Sequence, residues 1–138
     1  MSVAQLPPPP APNDALDYNR DMRLLILGDV VGRPGRIACE RILPRLIADR
    51  EVHCVIVNAE NAAGGSGLTP DIFHALRAVG VDGVTLGDHI YKRREIIPLL
   101  RETDRMIRPA NLPPEAEGRE LMIVPARDGS PVAVVSVL

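Results

Sequence analysis

Three apolar segments of this chain each run into side chains that could take part in chemistry. The first segment ends at Asp29, the second at Glu60 and Asn61, and the third at Asp88 and His89. A mixed set of carboxylate, amide and imidazole ligands suits manganese, iron or zinc. Carboxylates held close together repel one another, and bound divalent cations relieve that repulsion. The pattern therefore predicts a metal site, with His89 placed to donate a proton to a leaving oxygen.

Each residue also has a structural interpretation. An aspartate after a strand often caps the next helix, so Asp29 alone supports either interpretation. A single histidine such as His89 is more often structural than catalytic. The pair of Glu60 and Asn61 is more informative, because it lies between an apolar segment and a glycine-rich loop, where it has no obvious structural task. The prediction of a metal site therefore depends on all three segments occurring together.

The elements that must position these groups follow from the hydrophobic pattern. Apolar runs alternate with amphipathic stretches, which predicts an α/β fold with a largely parallel sheet. We predict strands over 24–31, 52–57 and 81–86, helices over 36–49, 69–80 and 92–102, and a hairpin of 121–125 with 132–138. The first strand is continuously apolar, as expected of one buried on both faces. Because parallel strands end at the same edge of a sheet, the three polar segments can converge.

Prolines add local predictions. Pro44 should kink or break the first helix, whereas Thr69 followed by Pro70 should begin the second as N-cap and first helical residue. The prolines within 107–114 predict an irregular segment. Residues 1–21 are rich in proline and predict a disordered tail. The apolar strand 132–138 has nothing after it, so we expect 22–138 to be the N-terminal part of a larger domain.

Composition argues against several classes of function. The chain has 138 residues and a net charge of -2, which gives no general field for nucleic acid. Aromatic residues are 2% of the chain, so stacking platforms are missing and we predict no stable nucleic-acid binding. No apolar run reaches membrane-spanning length and no signal peptide is recognisable, which favours the cytoplasm. Cys39 and Cys54 lack metal-site spacing and are predicted to be buried thiols.

The motifs together resemble those of a known family. The matching segments are residues 22–36, 58–65, 86–90 and 108–111. They resemble the YmdB-like family of calcineurin-like metallophosphoesterases, and the resemblance runs over residues 22–138. It implies a calcineurin-like α/β sandwich, with β-sheets flanked by helices, of which this chain would hold the N-terminal half. It also implies a dinuclear metal centre that hydrolyses phosphodiesters, such as the cyclic nucleotide 2',3'-cyclic AMP.

The resemblance also implies roles for individual residues. Asp29 and Asn61 would bind the first metal ion, Glu60 would bridge both ions, Asp88 would bind the second, and His89 would be the proton donor. The cofactors would be two divalent ions, iron or manganese first and zinc as an alternative. Asp88 stands where the family usually has asparagine; its charge should strengthen cation binding, and it could also repel an anionic substrate. The remaining ligands would be histidines in a second half outside this sequence.

Two residues are candidates for binding substrate. Arg33 lies beside the start of a helix, where a guanidinium and backbone N–H groups can hold phosphate, although it could equally be an exposed loop charge. Asn111 could reach the site from its proline-rich loop. The sequence leaves open whether subunits form a homo-oligomer.

Two other functions are consistent with parts of the pattern. A nucleotide-binding doubly wound domain would need a glycine fingerprint after the first strand, and residues 28–32 do not supply one. A truncated or degenerate paralogue would bind metal or nucleotide without turnover. The incomplete ligand set is the best support for that alternative, and it also predicts that this fragment alone is inactive.

Overall fold

A parallel sheet and an antiparallel hairpin make up the strands of the computed structural model, which describes residues 21–138. The sheet has the order β1 (Leu24–Leu27), β2 (Cys54–Asn58), β3 (Gly83–Thr85) and β4 (Met106–Ile107). The α-helices are α1 (Gly32–Asp49), α2 (Pro70–Ala78) and α3 (Ile97–Glu102), and a short 3-10 helix (Arg94–Ile96) precedes α3. The hairpin consists of β5 (Leu121–Pro125) and β6 (Pro131–Val135). The predicted α/β class is confirmed.

The fold has three layers, with the parallel sheet in the middle. Crossovers between parallel strands are right-handed, so strands in sequential order put their helices on the same face. Alternate residues of β2 show the two faces. Val55 and Val57 join the core that contains the helices, whereas Cys54 and Ile56 join the core beneath the hairpin. Helices and hairpin cover the two faces of the sheet, and loops lie at the carboxyl ends of its strands.

The first strand is shorter and more exposed than the sequence predicts. β1 ends at Leu27 and is an outer strand of the described sheet. Leu25 and Leu27 pack towards the helices, but Leu24 and Ile26 are 47% and 72% exposed on the other side. The prediction of a strand over 24–31 that is buried on both faces is therefore wrong. The apolar sequence of β1 does not reveal that the face bearing Leu24 and Ile26 stays largely exposed.

The helices depart from the sequence predictions in two places. α1 continues through Pro44, so of the predicted kink or break, the break does not occur. Pro44 is exposed, and Glu40, whose carbonyl loses its donor, is exposed as well, so water can satisfy that carbonyl. Ile42, an apolar residue of the same helix, is 56% exposed. The predicted helix over 92–102 begins as the 3-10 helix and becomes α-helical only at Ile97.

Other local predictions are confirmed, with one exception. Thr69 caps α2, since its hydroxyl accepts a hydrogen bond from Ile72 N at 3.3 Å. Cys39 and Cys54 are buried free thiols, and burial is the main cause that raises the pKa of each. The exception is Ile107, which lies in β4, so the segment is irregular only after it.

Two further observations concern the N-terminal segment and the helices. Residues 1–20, nearly all of the predicted disordered tail, lie outside the described residues. Within the described part of the chain, no helix has both the length and the apolar character needed to cross a bilayer.

Candidate metal centre

The loops after β1, β2 and β3 bring the five predicted residues to one edge of the sheet. Asn61 joins the outer two segments. Its amide nitrogen donates a hydrogen bond to Asp29 Oδ1 at 2.7 Å, and its Oδ1 lies 2.5 Å from His89 Nδ1. The loop bearing Asn61 is also tied to α1, because Gly32 N donates to Asn61 O at 2.9 Å. The convergence predicted from a parallel sheet is therefore present.

The Glu60 carboxylate lies against the turn that follows β3. Its Oε2 accepts a hydrogen bond from His89 N at 3.2 Å, and its Oε1 accepts one from Asn58 Nδ2 at 3.3 Å. Gly87 is packed directly beneath both oxygens, and a Cβ at this position would overlap them. Residue 87 must be glycine for Glu60 to occupy this place. This requirement was not predicted from the sequence, where its only signal is the glycine directly before Asp88.

The hydrogen bonds of Asn61 determine which nitrogen of His89 carries a proton. An ionised carboxylate only accepts, so Asn61 must present its NH₂ group to Asp29 and its Oδ1 to His89. His89 Nδ1 must then be the donor. His89 Nε2 lies 3.9 Å from Asp88 Oδ2. In the neutral ring this nitrogen has a free lone pair, and in the imidazolium it carries a second proton.

The donor set fits a divalent cation. Glu60, Asp88 and His89 each offer one ligand atom, and these atoms lie within 4.8 Å of one another. Carboxylates suit first-row divalent metals, and an imidazole beside them can either join the ligand set or exchange a proton. Glu60 and His89 are half-buried while Asp88 is exposed, so a cation can reach the group from solvent. No other such group of acidic, histidine and cysteine side chains occurs within residues 21–138.

The acidic groups of this site are not neutralised by basic side chains. Over the described range, no arginine or lysine forms an ion pair with Asp29, Glu60 or Asp88. The neighbouring arginines donate to backbone instead: Arg36 to Ala62 O and Arg93 to Ala63 O. The negative charge is therefore available to attract a cation.

The two candidate substrate residues lie in different surroundings. Arg33 is exposed in the first turn of α1, next to Gly32 and its hydrogen bond to the Asn61 loop. Asn111 is engaged elsewhere: its Nδ2 donates to Leu138 O at 3.3 Å and its Oδ1 accepts from Leu138 N at 3.0 Å. The structure thus brings Arg33 beside the site and pairs Asn111 with a distant main chain. Substrate binding by either residue stays a prediction.

The turn after His89 is anchored on its far side by Tyr91. The Tyr91 hydroxyl donates a hydrogen bond to Glu117 O at 2.7 Å. Burial is the largest cause that raises the pKa of Tyr91, while Arg108 lowers that pKa and Glu117 raises it. The phenol therefore stays protonated at neutral pH and serves as a donor that fixes this turn.

Comparison with known proteins identifies relatives along most of the chain. A protein from Bacillus subtilis (strain 168), named 2',3'-cyclic-nucleotide 2'-phosphodiesterase, is 39% identical over 115 residues, which is 83% of this chain and 43% of that protein. A crystal structure of a hypothetical protein from Thermus thermophilus is 40% identical, with a TM-score of 0.77, over 84% of this chain and 44% of that one. A crystal structure described as a novel phosphatase from Mycoplasma pneumoniae is 28% identical, with a TM-score of 0.69, over 74% of this chain and 38% of that one.

These matches concern part of each relative. The chain spans less than half the length of the relatives it matches. The family model described as YmdB-like protein matches residues 25–138, which include all five residues of the site. The resemblance seen in the motifs is confirmed, and the chain belongs to the YmdB-like family.

Proposed function

We propose that the protein is a metal-dependent phosphodiesterase, and that residues 22–138 form the N-terminal part of its catalytic domain. The observation that carries the proposal is the convergence of Glu60, Asp88 and His89 on one point, with Asn61 linking His89 to Asp29. The name of the Bacillus relative supports a phosphodiester substrate, and we propose cyclic nucleotides such as 2',3'-cyclic AMP. We further propose that the protein acts in the cytoplasm.

The metal centre is proposed to be dinuclear. Asp29 and Asn61 would bind one ion, Glu60 would be shared, and Asp88 would bind the other, with manganese or iron preferred and zinc as an alternative. Bound cations supply Lewis acidity, which neutralises charge on phosphoryl oxygens and makes water more acidic. The donor chemistry of the group and its lack of arginine partners support this assignment.

His89 is proposed to protonate the leaving oxygen. Asn61 restrains the imidazole through Nδ1, so the ring cannot turn away from the site. The other ring nitrogen, Nε2, lies 3.9 Å from Asp88 Oδ2 and would hold the proton that is transferred. The exposure of Asp88 lets a substrate approach this nitrogen from solvent.

The proposal is tested with the complete gene product. We expect hydrolysis of 2',3'-cyclic AMP and of a chromogenic phosphodiester in the presence of Mn²⁺ or Fe²⁺, and its loss on addition of a chelator. His89→Ala should lower kcat by about 100-fold or more, as expected when a general acid is removed, and Asp29→Ala should abolish metal-dependent turnover. Arg41→Ala, at an exposed position of α1, is the matched control. Undiminished turnover in Asp29→Ala would overturn the metal assignment.

A second candidate is a metal- or nucleotide-binding protein without turnover. It is favoured by one observation: among the acidic, histidine and cysteine side chains of the described residues, only three bring ligand atoms within 4.8 Å of one another, fewer than two coordination shells require. In that case the complete gene product would bind Mn²⁺ at this site yet hydrolyse neither phosphodiester.

A further inference from the structure

The loop that carries Glu60 and Asn61 folds back on itself. Gly67 N donates to Glu60 O at 2.5 Å, and Gly65 N donates to Asn61 O at 3.0 Å. Ala63 N donates to Gly67 O at 2.9 Å. These bonds use the carbonyls of both site residues inside the loop. The carbonyls of Ala62 and Ala63 are not used in this way, although both residues are buried.

Two arginines satisfy those remaining carbonyls. Arg36 Nη1 donates to Ala62 O at 2.5 Å, and Arg93 Nη2 donates to Ala63 O at 3.3 Å. Buried carbonyls need donors, and charged donors make the stronger bonds. Arg36 is half-buried, and its guanidinium reaches across to this loop.

Arg93 also packs against the loop. A Cβ at Gly67 would lie 2.7 Å from Arg93 Cγ and 3.1 Å from Arg93 N, so the backbone of the loop touches the segment after His89 directly. Gly67 has a φ of +82°, which favours glycine for a second reason. The loop is therefore held on one side by α1, through Arg36, and on the other by the residues that follow β3, through Arg93.

The two arginines belong to the two other segments of the site. Arg36 lies on α1, the helix that follows Asp29, and Arg93 lies shortly after Asp88 and His89. Through Arg36 and Arg93, each outer segment is tied to the loop that carries Glu60 and Asn61. Neither guanidinium forms an ion pair with a site carboxylate over the described residues, so neither neutralises the charge of the ligand oxygens.

We propose that Arg36 and Arg93 are positioning residues, which hold Glu60 and Asn61 in register with Asp29 and the Asp88–His89 turn. The inference rests on the proposed function, since it assumes that this group binds a divalent cation. Groups that orient metal ligands contribute to affinity without touching the ion. Their loss lets the loop shift, and the ligand oxygens no longer converge.

The test is a calorimetric titration of the complete gene product with Mn²⁺. We expect Arg36→Ala and Arg93→Ala each to weaken Mn²⁺ binding about tenfold, in the range seen for groups that orient metal ligands. Arg36→Lys should recover part of the affinity, because an ammonium can still donate to Ala62 O. Arg94→Ala, at the neighbouring position, which is exposed as Arg93 is, is the matched control and should bind like the wild type.

A kinetic readout separates positioning from substrate contact. With Mn²⁺ subsaturating and the phosphodiester varied, a positioning role lowers kcat and leaves KM for the phosphodiester unchanged, and added Mn²⁺ restores kcat. A KM that rises tenfold in Arg93→Ala at saturating Mn²⁺ would make Arg93 a substrate contact and overturn its positioning role.

The possible failures are distinguishable. Equal Mn²⁺ affinity in wild type, Arg36→Ala and Arg93→Ala would overturn this inference and leave the proposed function standing. A wild type that binds no Mn²⁺ would overturn both. Melting temperatures without metal are measured in parallel, and if either alanine variant is unfolded at the working temperature, the lysine variant at that position carries the test.

Discussion

The two ends of the parallel sheet hold their charged residues in opposite ways. At the amino end, Asp82 Oδ2 accepts from Val55 N at 2.8 Å and from Arg127 Nη1 at 2.7 Å. Arg127 also donates to the carbonyls of His53 and Gly80, at 3.1 and 2.9 Å. This acid is paired, and its partner fixes the turn of the hairpin to the sheet. At the carboxyl end, the polar contacts of the acids in the candidate metal centre, among residues 21–138, are with amide, backbone N–H and imidazole groups.

The ion pair at the amino end is of the kind that stabilises a fold, whereas the acids at the carboxyl end are suited to binding a cation. A neutralised carboxylate with several donors lowers the free energy of the folded state. Unneutralised carboxylates that lie close together raise it through repulsion until a cation binds. Removing an acid should therefore lower the free energy of unfolding markedly at the amino end and change it little at the carboxyl end, and the following predictions test that contrast.

The largest effect on stability is expected at the amino end. Asp82→Ala leaves Val55 N and the Arg127 guanidinium without their shared acceptor, and we expect the free energy of unfolding to fall by about 3 kcal/mol. Urea unfolding of the complete gene product measures it. Asp49→Ala, which removes an exposed ion pair with Arg45, is the control, with an expected loss below about 0.5 kcal/mol. A loss for Asp82→Ala no greater than that control would contradict the role given to this pair.

A smaller effect on stability is expected from Gly87→Ala at the carboxyl end. The added methyl group must displace the Glu60 carboxylate, so we expect a loss of about 1–2 kcal/mol and Mn²⁺ binding weakened at least tenfold. Gly28→Ala is the matched control, because a Cβ there has no neighbour within 4 Å. Wild-type Mn²⁺ affinity in Gly87→Ala would show that the position of Glu60 does not matter for the site.

The smallest effect on stability is expected from Asp88→Asn. Removal of this exposed charge relieves repulsion, so the free energy of unfolding without metal should change by less than about 0.5 kcal/mol. Mn²⁺ affinity should fall by roughly three- to tenfold, since one negative charge is lost from the ligand group. If Asp88→Asn destabilised the metal-free protein as much as Asp82→Ala, the contrast between the two ends would be wrong.

The sequence predicted the site better than it predicted the surroundings of the first strand. Convergence of Asp29, Glu60 and His89 follows from a rule of parallel sheets, which needs only that each residue come after a strand. The burial of β1 depends on which elements lie beside it, and an apolar run such as Leu24 to Leu27 carries no information about them. The hydrophobic pattern shows which side chains of a segment are apolar enough to be buried. Whether they are buried depends on the elements that pack beside the segment.

Residues that act across long separations were also missed. Nothing in the helical pattern indicates that Arg36 donates a hydrogen bond to a carbonyl 26 residues away. In the sequence Gly87 is simply a glycine before a polar pair. In the structure its lack of a side chain makes room for the Glu60 carboxylate from another loop. Ile107 was assigned to an irregular segment by the prolines after it, although backbone pairing with β3 makes it a strand residue. Each of these roles is set by a partner that is distant in sequence.

The central claim is that the carboxyl end of the sheet is a divalent cation site, and a Mn²⁺ titration of the complete gene product beside Glu60→Gln tests it most directly. Glutamine keeps the shape of the side chain and removes its charge. The account predicts saturable Mn²⁺ binding by the wild type, at least about 100-fold weaker binding by Glu60→Gln, and melting temperatures that agree without metal. Equal Mn²⁺ affinity in the two proteins would contradict it.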